Sequence, residues 1–118
     1  MSALLKQIKC IETEIRLHTA WLGRISGLKA EKMFSGVKTP YLYVLREGEN
    51  ENDYYVTFTH PDGSVRHQPF IITVRPEGWY WRNHGAGGPY TEASIEDVLY
   101  LIMHCEREEN VPLTLLGS

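Results

Sequence analysis

The stretch Tyr41-Leu42-Tyr43-Val44-Leu45-Arg46-Glu47 decides how this chain reads. Its first five residues are aromatic, aliphatic or β-branched, the composition and length of a buried strand. Side chains alternate between the two faces of a strand, so Leu42, Val44 and Arg46 share one face. Arg46 is thereby sent toward a face whose other members seek burial. A guanidinium does not give up its proton, and an unpaired buried charge costs several kcal/mol. Arg46 therefore asks for an anion, either carried by the protein or brought by a ligand. The alternative is a strand that ends at Arg46 and leaves it in solvent or bonded to Glu47 or Asp53.

Working outward, the polar acidic run Glu47 to Asp53 separates this strand from a second, Tyr54 to Thr59, where Val56 and Phe58 alternate with threonines. Pro61-Asp62-Gly63 signals a tight reversal into a third strand starting near Val65, giving an antiparallel hairpin. Pro69 lacks a backbone donor and predicts an edge or a bulge there. Gly78-Trp79-Tyr80-Trp81 reads as a further short strand and His84 to Pro89 as a loop. On the other side, Ser26 can cap a short helix through Leu28, Ala30, Met33 and Phe34, stopped by Gly36 and Pro40. Earlier still, Leu4, Ile8, Ile11 and Ile15 recur at helical spacing, an amphipathic helix expected to pack on its own domain. Ser94 with Asp97 resembles a capping box ahead of the apolar stripe Ile95, Val98, Leu99, Ile102 and Met103. Asn110 and Pro112 are expected to end that helix, with Val111 to Leu115 a closing extended segment.

This order predicts an α+β fold: a central antiparallel β-meander flanked by two helices, with an extra N-terminal amphipathic helix. With 118 residues the chain fits one core, since two would each be too small to bury enough apolar surface. Its 42% hydrophobic and 23% charged residues match a soluble globular protein. Twelve basic against 15 acidic residues give no general field for nucleic acid, so any anion site must be local. No apolar run approaches the roughly 20 residues of a membrane span, and the charged segment after Met1 is unlike a signal peptide, so an intracellular, cytoplasmic protein is expected. Cys10 and Cys105 fit no zinc or redox spacing and read as reduced structural thiols. No histidine pair has metal-ligand spacing, and no metal or cofactor is assigned.

Several motifs resemble one family. Trp21, Gly23-Arg24-Ile25-Ser26 and Ala30-Glu31 are similar to the opening of a Src-homology-2 domain, where a tryptophan and a Gly-Lys/Arg-Ile-Ser stretch lead into the first helix. Tyr41 to Glu47 resembles the family's Gly-x-Phe-Leu-Val-Arg-Glu-Ser strand, which places Arg46 on the phosphate-binding arginine. Val65-Arg66-His67 is similar to Val-Lys-His, with His67 on the histidine that lines the phosphotyrosine pocket. Gly78 to Trp81, Tyr90 with Ser94 to Leu99, and Val111-Pro112-Leu113 resemble later segments in the same order. The resemblance spans about residues 21–115 and implies a phosphotyrosine-binding domain over 21–116, with 1–20 as a helical extension. It implies binding of tyrosine-phosphorylated peptides with no bond made or broken. Such divergent domains also occur in bacterial effectors, which act in a host cytosol.

The implied site is Arg46 and His67 with Glu47, Gly48 and Thr57. Tyr55 or Thr57 would line the wall. This chain departs from the family where Gly27 replaces a second phosphate-binding arginine and Gly48 replaces the serine after Arg46-Glu47. Arg24, Arg66 or Lys29 could restore the missing charge, and Gly48 could hold backbone amides inward as an anion nest. The loops that select residues after the phosphotyrosine are short here, implying low selectivity for flanking sequence. Three rivals remain. One is a phosphate-independent interaction domain in which Arg46 pairs with its own Glu47, Glu49 or Asp53. A second is a hydrolase using His67 or His84 near Cys105. A third is nucleic-acid stacking on Trp79, Tyr80 and Trp81, which lacks a basic groove.

Overall fold

A computed structural model of the protein describes residues 11–49, 53–76, 78–83, 94–105 and 110–113. In chain order the elements are α1 (11–16), α2 (Gly27–Lys32), β1 (Leu42–Glu47), β2 (Asp53–Thr59), β3 (Val65–Arg75), β4 (Gly78–Asn83), α3 (Ile95–Met103) and β5 (Val111–Pro112). The strands form one sheet in the order β4-β3-β2-β1-β5. The fold is α+β, as the sequence predicts.

Local chemistry sets the boundaries. Ser26 caps α2, its hydroxyl accepting from the Lys29 amide at 3.0 Å, which satisfies one of the amides a helix start leaves open. Ser94 does the same for α3 through the Asp97 amide. α3 ends at Met103, earlier than Asn110 and Pro112 suggest, because His104 adopts a left-handed conformation (φ 55°) and closes the last turn onto the Tyr100 carbonyl. Between β2 and β3, Gly63 takes the positive φ (93°) that the reversal requires. The His60 amide closes the turn onto the Ser64 carbonyl at 2.8 Å.

The register adds detail to two expectations. The meander β1 to β4 is antiparallel, but β5 joins β1 in parallel, Leu42 opposite Val111, so the sheet is mixed. Pro69 is in β3, an inner strand of the sheet, where it pairs with Tyr55 on one side, yet its own position is edge-like, as its missing donor predicts. The physical reason is local. Pairing with β4 starts at Phe70, so among the described residues the second side of β3 at Pro69 has no strand neighbour, and its missing donor breaks no ladder there.

The two faces of the sheet are unequal. One carries Tyr43, Leu45, Val56, Phe58 and Phe70 against α1 and the apolar stripe of α3. Ile15, Val98 and Leu99 are fully buried there, and a buried side chain of this size contributes about 1.5–3 kcal/mol. Ile11 and Ile15 thus pack on their own domain, while Leu4 and Ile8 lie outside the described residues. The face toward α2 holds a smaller core of Ala30, Phe34, Leu42 and Val44. This cluster ends before the last turn of β1. The space beyond it, at the start of α2, is where Arg46 emerges. Among the described residues no helix is long and apolar enough to cross a membrane.

Candidate functional site

The register of the meander assembles the site. Arg46 pairs with Tyr55, and Thr57 lies opposite both Val44 on β1 and His67 on β3. Directly paired residues share a face, so Arg46, Tyr55, Thr57 and His67 all point toward α2. Arg46 is only 6% exposed. Its Nε donates to Thr57 Oγ1 at 2.9 Å, Nη2 donates to His67 Nδ1 at 3.1 Å, and Nη1 reaches the Ile25 carbonyl at 3.4 Å. The guanidinium carbon stands 4.4 Å from the centroid of the Tyr55 ring, a cation–π contact.

Every one of these partners is neutral. Glu47, the next residue, turns instead toward Arg16 at 3.8 Å and Arg24 at 3.6 Å. Among the described residues no carboxylate lies within 4.0 Å of the Arg46 guanidinium. Burial pushes the Arg46 pKa down from its ordinary value, partly opposed by Tyr55, yet an arginine starts so high that the group stays cationic. The buried charge is hydrogen-bonded but not neutralised.

Arg46 can only donate, which fixes the state of its neighbours. His67 Nδ1 must accept, so the ring proton sits on Nε2. Thr57 Oγ1 accepts from Arg46 Nε and directs its own hydrogen to the same His67 Nδ1 at 2.9 Å. Burial first, and then the Arg46 charge, hold the His67 pKa below the usual histidine value, with Glu31 pulling the other way. The ring is therefore neutral near neutral pH. Its Nε2 faces Glu31 Oε2 at 3.9 Å.

A cavity of about 700 Å³ opens over these groups, bounded by Ser26 and Gly27 at the start of α2, Gly48 and Glu49 after β1, and Tyr55 and His67 on the sheet. Gly27 matters by what it lacks. A Cβ there would lie 3.3 Å from Arg46 Nη2 and 3.8 Å from the His67 ring, so glycine keeps the approach to the guanidinium clear.

Of the residues the sequence singles out, Arg46, His67, Arg24, Glu47 and Gly48 line this cavity, and Thr57 lies buried beneath it as the link between Arg46 and His67. Arg24 sits at the mouth with its side chain 84% exposed and faces Glu47, so its charge is partly spent. Two expectations fail. Arg66 pairs with Phe58 in the ladder, which turns it to the opposite face, where it binds Asp62 at 2.7 Å. Gly48 offers no amide to an anion, because its N–H donates to the Asp53 carbonyl at 2.9 Å. Its glycine identity has another cause: a Cβ would come within 2.6 Å of Asp53 Cβ. Glu31 and Gly27 belong to the site, and the sequence reading overlooks Glu31. Their four-residue spacing, which puts both on one face of a helix, is the signal that points to it.

The rivals fare differently. Arg46 forms no ion pair with Glu47, Glu49 or Asp53. Cys105 follows the end of α3 and packs with the core on the other side of the sheet from His67, and His84 lies outside the described residues. Trp81 is 4% exposed and Trp79 packs against the same core, so the aromatic run of β4 offers no continuous stacking platform. Among the described residues no group of three His, Cys, Asp or Glu side chains could hold a metal ion. Comparison with protein-family models gives no match for this chain, and comparison with curated protein sequences gives none.

Proposed function

We propose that the chain is a divergent Src-homology-2 domain that binds tyrosine-phosphorylated peptides, with Arg46 holding the phosphate. The observation that carries this reading is a 94%-buried arginine, the complement of its 6% exposure, that lines a cavity and has only neutral partners. Of its five N–H donors, three are engaged, by Thr57, His67 and Ile25. Among the described residues this leaves two, one on each Nη. That pair is the fork that matches two oxygens of one phosphate. His67 Nε2–H supplies a third donor, and the Tyr55 ring walls the approach.

The depth of the guanidinium favours a phosphate carried on a long rigid arm. The order of the motifs around Trp21, Arg46, His67 and Ser94 supports the same family. The short β5 beside β1 and helices on both faces of the sheet are compatible with it.

Calorimetric titration with one peptide in tyrosine, phosphotyrosine and phosphoserine forms tests the reading. Binding is expected for the phosphotyrosine form alone. Arg46→Ala, shown folded by circular dichroism, should lose about 2–5 kcal/mol of it. Equal binding of the unphosphorylated peptide would replace this reading with the phosphate-independent interaction domain.

A further inference from the structure

The cavity holds its own competitor for the anion. Gly27 and Glu31 lie on one face of α2, one turn apart, and that face looks onto Arg46 and His67. Gly27 leaves the space open, while Glu31 brings a carboxylate to 3.9 Å from His67 Nε2. This contact is longer than a hydrogen bond, and its carboxylate is 51% exposed, the kind of pair that is weak and readily exchanged. The other ring nitrogen is fully committed, since Nδ1 accepts from both Arg46 and Thr57. Nε2–H is thus the one edge of the histidine that can turn to a ligand, and Glu31 faces it.

We infer that Glu31 is a built-in brake on phosphate binding, a carboxylate that stands 3.9 Å from the open donor of His67 and repels the phosphate that approaches it. The inference rests on the phosphotyrosine reading of the same cavity and goes beyond it. It assigns a specificity role to a residue that touches the site through His67 Nε2. Groups charged or polar toward His67 are Arg46 from β1, Thr57 and Tyr55 from β2, and Glu31 from α2. Among the described residues Glu31 is the one carboxylate within 4.0 Å of the His67 ring nitrogens. The brake also sets charge selectivity, because a carboxylate a few ångströms from the ligand penalises a dianion more than a monoanion.

Two interacting charges of −1 and −2 at about 6 Å, near water and partly screened, change a binding constant by about three- to tenfold. The test compares the wild type, Glu31→Gln and Glu31→Ala, each titrated with a phosphotyrosine peptide near neutral pH at low and high salt. Both variants should bind about three- to tenfold more tightly at low salt, with the gain shrinking as salt rises. The position is half exposed on a short surface helix, and glutamine keeps both size and helix preference, so folding is preserved. If the wild type binds and both variants bind equally well or more weakly, the brake is refuted and the phosphotyrosine reading stands. If none of the three binds, both fall together.

Discussion

Thr57→Val is the sharpest probe of the polar lattice around Arg46. Valine keeps the shape of the side chain and removes only the hydroxyl, at a position that is 0% exposed. Among the described residues that hydroxyl is the one acceptor for Arg46 Nε, at 2.9 Å, and it also donates to His67 Nδ1 at 2.9 Å. Without it a charged N–H is left buried with no acceptor. Such an orphan costs about 1–3 kcal/mol, with charged donors toward the upper end, so a loss of about 2–3 kcal/mol is expected. In a chain of this size that corresponds to a drop of about 6–12 °C in Tm. Urea unfolding followed by circular dichroism measures it, with an unchanged slope and a lower midpoint as the signature of a pure stability effect. Thr57→Ser retains the hydroxyl and should keep the hydrogen bonds at the smaller cost of one lost methyl. A Thr57→Val protein as stable as the wild type, or no worse than Thr57→Ser, would show that this hydroxyl does not hold the guanidinium.

Three further outcomes follow from the same geometry. Gly48→Ala forces a methyl to within 2.6 Å of Asp53 Cβ and 2.7 Å of its carbonyl, so a loss of about 1–3 kcal/mol is expected in urea unfolding; an unchanged midpoint would mean that the β1–β2 connection yields freely. The folded state holds the His67 pKa below its unfolded value, so the unfolded chain binds more protons as pH drops through the ordinary histidine range. Stability should fall with it, and His67→Gln should flatten that part of the profile of urea midpoint against pH. Identical profiles would contradict the assignment of His67 as a neutral acceptor. Arg66→Ala should leave phosphopeptide affinity unchanged, because Arg66 faces away from the cavity. It should also raise the Asp62 pKa measured by NMR, since the Ser64 hydrogen bonds and then Arg66 hold that carboxyl well below the usual carboxylate range.

What the sequence made legible was what local chemistry decides. The alternation in Leu42, Val44 and Arg46 gives the face of β1, Ser26 and Ser94 give the helix starts, and Pro61 to Gly63 gives the reversal. Each of these is fixed within a few residues. Features that depend on register or on distant segments were hidden. Arg66 and His67 are neighbours and must face opposite ways, but which one meets Arg46 depends on Thr57 standing opposite His67. The parallel pairing of β5 involves two residues, one of them Pro112, and follows from where the chain returns after α3 rather than from any strand-like pattern. The acidic loop after Arg46 invites a reading in which Gly48 holds amides inward toward a phosphate, whereas the Gly48 amide itself donates to the Asp53 carbonyl. Glu31 escaped notice because an exposed glutamate on a short helix looks like any solvated charge until its partner is located.

Everything proposed for this cavity requires a phosphate to reach the two open N–H groups of Arg46. The most direct measurement follows the Arg46 side-chain ¹H–¹⁵N signals and the peptide ³¹P signal in one titration of the wild-type protein with a phosphotyrosine peptide. The Arg46 Nη protons should slow their exchange and shift together with the phosphorus resonance, along one saturation curve. Saturation of backbone signals elsewhere, with the Arg46 guanidinium and the phosphorus both unmoved, would contradict it.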